Sequence, residues 1–159
     1  MTPASTPEVP GSIPPRPPYR DVRFVALVFF GGCVGTAIRA WLEATWPAPA
    51  GQWPWTTFLI NLSGSFILGF LYAALAATGP DRGWRKATRV GVGTGVLGGY
   101  TTYSSFAVET VALAASAHTF RALAYALGSV VLGIGCASVG ALLARRCSDR
   151  AYADTGEAH

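Results

Sequence analysis

The chain has 159 residues, 51% of them apolar and only 13% charged. Soluble domains carry roughly 25% charged residues, so the composition excludes a water-bathed globule and points to one membrane domain. The net charge of +4 comes without a basic cluster beside exposed aromatics, which speaks against nucleic-acid binding.

Residues 1–22 (MTPASTPEVPGSIPPRPPYRDV) hold seven of the eleven prolines and almost no large apolar side chain. Such a segment cannot build a core and is expected as a disordered, Pro-rich cytoplasmic tail. It lacks the basic start and adjacent apolar run of a cleavable signal. Four apolar stretches follow, within a transmembrane domain expected over residues 23–145. Phe24 to Leu42 carries one charge, Arg39, and Trp55 to Ala77 carries none. Val90 to Ala117 carries only Glu109 but is rich in glycine, and Ala122 to Ala144 is uncharged. About 20 apolar residues cross a bilayer core, so four transmembrane helices are expected, with a short polar tail over 146–159.

Basic residues report the orientation. Arg16, Arg20 and Arg23 precede the first stretch; Arg82, Arg85, Lys86 and Arg89 lie between the second and third; Arg145, Arg146 and Arg150 follow the fourth. That is ten on one side against two, Arg121 and Arg39, on the other, which predicts both termini in the cytoplasm of a plasma-membrane protein. Basic residues that merely close helix ends would not produce this asymmetry.

Catalytic machinery is not evident. Cys33, Cys136 and Cys147 form no C-x-x-C, His118 and His159 are far apart, and no nucleophile elbow, phosphate loop or carboxylate pair occurs. The chain does not read as an enzyme.

The chemistry must then lie in polar residues within the spans: Arg39, Thr56, Thr57, Asn61, Ser63, Ser65, Thr101 to Ser105, Glu109, Ser129 and Ser138. Ionisable residues at membrane depth usually face a bundle interior or a watery path. Single Ser and Thr residues more often bond their own helix or glue two helices together. Asn61 cannot satisfy its amide along its own helix, and Thr57 lies four residues earlier on the same face. Gly31 and Gly35, and the series Ser129, Gly133, Ala137 and Ala141, form small-residue ridges that close packing explains. The run Gly91, Gly93, Gly95, Gly98, Gly99 is denser than packing needs and, with Thr101 and Thr102 after it, predicts an unwound segment in helix 3. Irregular backbone at that depth must be buried in protein or line a cavity; its freed carbonyls attract a cation. Tyr103 and Phe106 follow on one helical face. Packing is the default for such a pair, but aromatic ring edges are positive and can face a small anion without trapping it.

Three ordered stretches now carry a resemblance. GGCVGTAIRAWL resembles the helix-1 signature of the Fluc (CrcB-type) fluoride channels, TTFLINLSGSFILGFL their helix 2, and GVLGGYTTYSSFAVE their helix 3. The resemblance covers about Phe24 to Ala144. It implies an all-α membrane protein of four transmembrane helices, with helix 3 broken near its middle, in an antiparallel dual-topology-type dimer. The implied activity is passive, fluoride-selective export that relieves fluoride toxicity. It further implies a structural sodium ion at the dimer centre, held by the backbone carbonyls of Gly98 and Thr101. Asn61 would donate to fluoride, Tyr103 and Phe106 would form the aromatic box, and Thr57, Ser104 and Glu109 would belong to or border the polar track. Arg39 would lie near a vestibule. The family usually has phenylalanine at the position of Tyr103, whose hydroxyl could donate to fluoride or hold it too tightly. The charge asymmetry departs from a subunit that inserts both ways, and favours an oppositely oriented paralogue over a second copy as the dimer partner. A small four-helix proton-coupled multidrug exporter is the alternative, but it wants a carboxylate in helix 1, where this chain has Arg39.

Overall fold

The computed structural model describes residues 21–156 of the chain; residues 1–20, most of the expected Pro-rich tail, lie outside it, as do 157–159. All the regular structure among the described residues is helical. Helix α1 (Val22–Thr45) begins where the Asp21 carboxylate accepts from the Arg23 N–H at 3.0 Å. Helix α2 (Trp55–Ala77) starts directly after Pro54. Left-handed glycines at Gly79 and Gly83 (φ +127° and +55°) then reverse the chain.

The third stretch is the irregular one. A short α3 (Trp84–Thr88) widens into a π-helical segment (Arg89–Leu97) and one α-helical turn, α4 (Gly98–Tyr100). At Thr101 the backbone becomes extended (ψ 153°), and helix resumes as α5 (Ser104–Ala115). Helix α6 (Thr119–Gly156) runs well past its apolar part, into the stretch expected as a polar tail. Three helices, α1, α2 and α6, are each long and apolar enough to cross a membrane.

The placement of the break corrects one expectation. The glycine-rich run does not unwind: it is π-helical and α-helical, and only Thr101 to Tyr103 leave the helix. The reason is packing on two sides. A Cβ on Gly31 would meet the Gly91 carbonyl at 2.5 Å, and one on Gly99 would meet the Gly32 carbonyl at 2.5 Å. A Cβ on Gly95 would meet the Leu27 carbonyl at 3.0 Å and Gly31 Cα at 3.1 Å, while Gly93 abuts the Tyr72 ring of α2. Glycines 91, 95 and 99 thus face α1, and Gly93 faces α2. Gly98 is the exception, with open space where its Cβ would be.

A second seam joins α2 to α6, where a Cβ on Gly69 or Gly140 would fall on the opposing backbone at Ala137 or Phe66. Small residues permit such approaches in a medium where apolar burial alone does not drive helices together. Phe58, Leu113, Ala122 and Tyr125 form a buried cluster between α2, α5 and α6.

Candidate functional site

Polar side chains gather in two places along the inner face of α5. The first is the break itself. The Thr102 N–H donates to Asn61 Oδ1 at 2.8 Å, and Asn61 Nδ2 donates to the Thr102 carbonyl at 2.9 Å. One amide of α2 therefore replaces the helical partners that Thr102 has lost. The Thr102 hydroxyl accepts from the Ser105 N–H at 3.1 Å, capping the first turn of α5, and lies 3.2 Å from Ser104 Oγ. Asn61 Nδ2 carries two hydrogens, and Thr102 engages one of them.

These bonds have a consequence for the carbonyls around the break. In a continuous helix the N–H of Thr102 would close on Gly98 O, and that of Ser105 on Thr101 O. Both donors are turned to side-chain oxygens instead. Gly98 is also exposed on the protomer surface. Uncharged oxygens of this kind suit a hard cation. No cluster of three His, Cys, Asp or Glu side chains occurs among the described residues.

The second place is Glu109. Its Oε1 accepts from the Thr57 hydroxyl at 2.7 Å and its Oε2 from the Tyr125 hydroxyl at 2.7 Å. Thr57 and Tyr125 are both fully buried. Glu109 also borders a cavity of about 90 Å³ beneath the Ala48–Pro54 connection, which Arg121 fixes by donating to the Gly51 carbonyl at 2.9 Å.

Aromatic rings link the two places. Phe106 lies 5.3 Å from the Tyr125 ring and 6.0 Å from that of Tyr103, centroid to centroid. Tyr103 is 81% exposed and Phe106 packs against the buried cluster, so the pair runs from the protomer surface inward.

Of the residues singled out from sequence, Asn61, Ser104, Tyr103, Phe106, Thr57 and Glu109 come together along this line. Arg39 stands apart, on α1. Its Nε donates to the Gly99 carbonyl at 3.3 Å and its Nη1 pairs with Glu43 at 3.1 Å, so a neighbouring carboxylate offsets its charge. Sequence reasoning passed over Tyr125. Its signal was present: it is the single aromatic in the uncharged stretch ALAYALGSVVLGIG. Ser129, one turn further along α6, has a buried hydroxyl with no partner among the described residues.

The family model described as CrcB-like protein, Camphor Resistance (CrcB), matches residues 26–141. The chain is 48% identical over 109 residues to a protein of Cutibacterium acnes named fluoride-specific ion channel FluC 1, covering 69% of this chain and 76% of that one. It is 44% identical over 117 residues to fluoride-specific ion channel FluC 2 of Leifsonia xyli, covering 74% and 80%. With fluoride-specific ion channel FluC of Oceanobacillus iheyensis it shares 40% identity over 126 residues, 79% of this chain and 95% of that one.

Proposed function

The chain belongs to the CrcB family, and from that premise we propose that it is a membrane channel that lets fluoride leave the cytoplasm passively. The observation that carries the reading is the line from Tyr103 through Phe106 and Tyr125 to Glu109, beside a helix break clamped by Asn61. A conducting anion needs attraction enough to shed water and too little to be trapped. Ring edges and a single amide N–H offer that compromise. The second hydrogen of Asn61 Nδ2 is a donor at the break, and Phe106 carries the path on between the rings of Tyr103 and Tyr125.

Thr57, Ser104 and Glu109 border the track. A fixed carboxylate in an anion path needs its charge occupied, and the hydroxyls of Thr57 and Tyr125 do this from both sides. Arg39 acts chiefly on the backbone of the third stretch, through Gly99. No bond is made or broken along this path, so the protein works as a conduit rather than an enzyme. The multidrug-exporter reading has no support from the named relatives.

The four pieces from Trp84 to Ala115 count as the fourth membrane crossing, and two subunits pack antiparallel about their helix breaks. The exposed Gly98 and the carbonyls of Gly98 and Thr101, deprived of their helical donors, fit a sodium ion shared at that centre. Such an ion would hold the two breaks in register. The ten-to-two charge asymmetry favours cytoplasmic termini and an oppositely oriented paralogue as the partner. Reporter tags on both sides of the membrane, from this gene expressed alone, would reject the single orientation.

Fluoride efflux from liposomes, read with a fluoride electrode, tests the function. The chain, alone or with its paralogue, is expected to release fluoride, and Asn61→Ala and Phe106→Ala to abolish release. No efflux in either setting rejects the channel.

A further inference from the structure

One end of the molecule carries a feature that the fluoride path does not use. Between α1 and the π-helical segment runs an open apolar groove of about 430 Å³, walled by Leu27, Phe30, Val34, Ala87, Val92 and Val96. Its depth follows from the glycines. Gly31 and Gly91 face one another across its floor, so backbone stands where side chains would otherwise fill the space. Phe30 and Val34 are left more than half exposed along its wall.

The groove ends among basic residues. Lys86 immediately precedes Ala87 of the wall, and its Nζ lies 4.9 Å from the centre of the Phe24 ring on α1, bridging the two elements. Arg23 and Arg82 are exposed at the same end, and Arg85 lies on the ring of Trp84. Asp81 is taken up by Arg89 through a bidentate contact, and Asp21 caps α1. Among the described residues, Arg23, Arg82, Arg85 and Lys86 form no ion pair.

We propose that this groove binds one anionic glycerophospholipid of the bilayer, its phosphate at Lys86 and Arg23 and one acyl chain along the α1–π seam. A basic end joined to a membrane-facing apolar trough matches both halves of such a molecule, and basic pockets between transmembrane helices recognise lipid head groups in this way. Trp84, 60% exposed at the same level, fits the interfacial belt where head groups lie. The site rests on the reading of the chain as a membrane protein and not on fluoride conduction.

Native mass spectrometry of the full purified chain tests it, with dioleoyl phosphatidylglycerol against dioleoyl phosphatidylcholine. Phosphatidylglycerol adducts are expected to survive at least tenfold better, and to fall at least fivefold in the double variant Lys86→Gln, Arg23→Gln. The control Arg145→Gln, Arg146→Gln removes the same charge and is expected to leave them intact. Equal retention of both lipids, or equal loss in the control, would reduce the effect to a diffuse field and overturn the site. Competition by glycerophosphoglycerol, the head group without chains, as effective as by the lipid would overturn the acyl seat. Val92→Trp is expected to displace the lipid; if it instead breaks up a dimer and leaves lipid bound, the groove belongs to a second copy and the proposal fails. Should that variant not fold, quenching in the unmodified chain decides. Trp84 is the one tryptophan at the basic end, and the Trp84→Phe difference isolates its signal. Phosphatidylglycerol with brominated chains is expected to quench it more than brominated phosphatidylcholine, and equal quenching overturns the proposal.

Discussion

The side-chain amide of Asn61 makes both backbone hydrogen bonds of Thr102, accepting at 2.8 Å and donating at 2.9 Å. Because no water is present at membrane depth to satisfy a freed peptide group, this pairing is what allows helix 3 to open there. Asn61→Ala leaves a buried N–H and C=O unpaired, at about 1–3 kcal/mol for each group. Thermal unfolding in detergent is expected to shift down by a corresponding amount, together with loss of fluoride efflux. Asn61→Asp keeps the acceptor but not the donor, and is expected to recover part of the stability and none of the efflux.

Glu109 is held by two hydroxyls, and removing either leaves a half-buried carboxylate oxygen short of a donor. Hydrogen bonds to charged groups contribute about 1.5–3 kcal/mol. Tyr125→Phe and Thr57→Val are therefore each expected to slow fluoride efflux by roughly tenfold or more. The fold should persist, since both replacements conserve shape. Efflux at the unmodified rate in both variants would remove Glu109 from the path.

Tyr103 is exposed, and no hydrogen bond of its hydroxyl occurs among the described residues. Tyr103→Phe should thus leave stability unchanged within about 0.5 kcal/mol. If the hydroxyl holds fluoride too tightly, the variant conducts faster than the unmodified chain; efflux measured side by side decides.

Two glycines separate packing within the protomer from packing between subunits. A Cβ on Gly35 would collide with the backbone carbonyl of Val96, and overpacking of this kind costs about 1–3 kcal/mol. Gly35→Ala is expected to lower the yield of folded protein. Gly98→Ala meets nothing in its own chain, so the protomer should fold normally. Gel filtration with and without sodium is expected to show that Gly98→Ala weakens only the dimer.

The Asp81–Arg89 pair ties down the connection between α2 and α3, and the Arg89 guanidinium holds the Asp81 carboxyl below its usual range. A depressed folded-state pKa contributes stability that is present above the ordinary carboxylate value of about 4 and is lost as pH falls through the lowered one. The pair is exposed, so the effect is small. Hydrogen exchange in residues 78–83 should rise below about pH 4 in the unmodified chain. In Asp81→Asn it should already be raised at pH 7 and no longer depend on this titration.

Much was legible in the chain itself. Lengths of uncharged sequence are a direct measure of membrane span, so α2 has the bounds expected from its apolar run, Trp55–Ala77. Asn61 stood out because its amide has no partner along its own helix. Glu109 stood out as the only acid deep in an apolar stretch. Such signals are local, arising from one residue and its immediate sequence neighbours.

Other features depend on what faces what, and only the tertiary structure decided them. The run Gly91 to Gly99 looks the same in sequence whether it unwinds or packs; the backbone of α1 on one side and the Tyr72 ring of α2 on the other make it pack. The break falls instead at Thr101 to Tyr103, where Asn61 is within reach to satisfy Thr102. Tyr125 was hidden for the same reason. A tyrosine in an apolar helix becomes part of a polar site only when folding brings Glu109, sixteen residues earlier, within 2.7 Å of its hydroxyl.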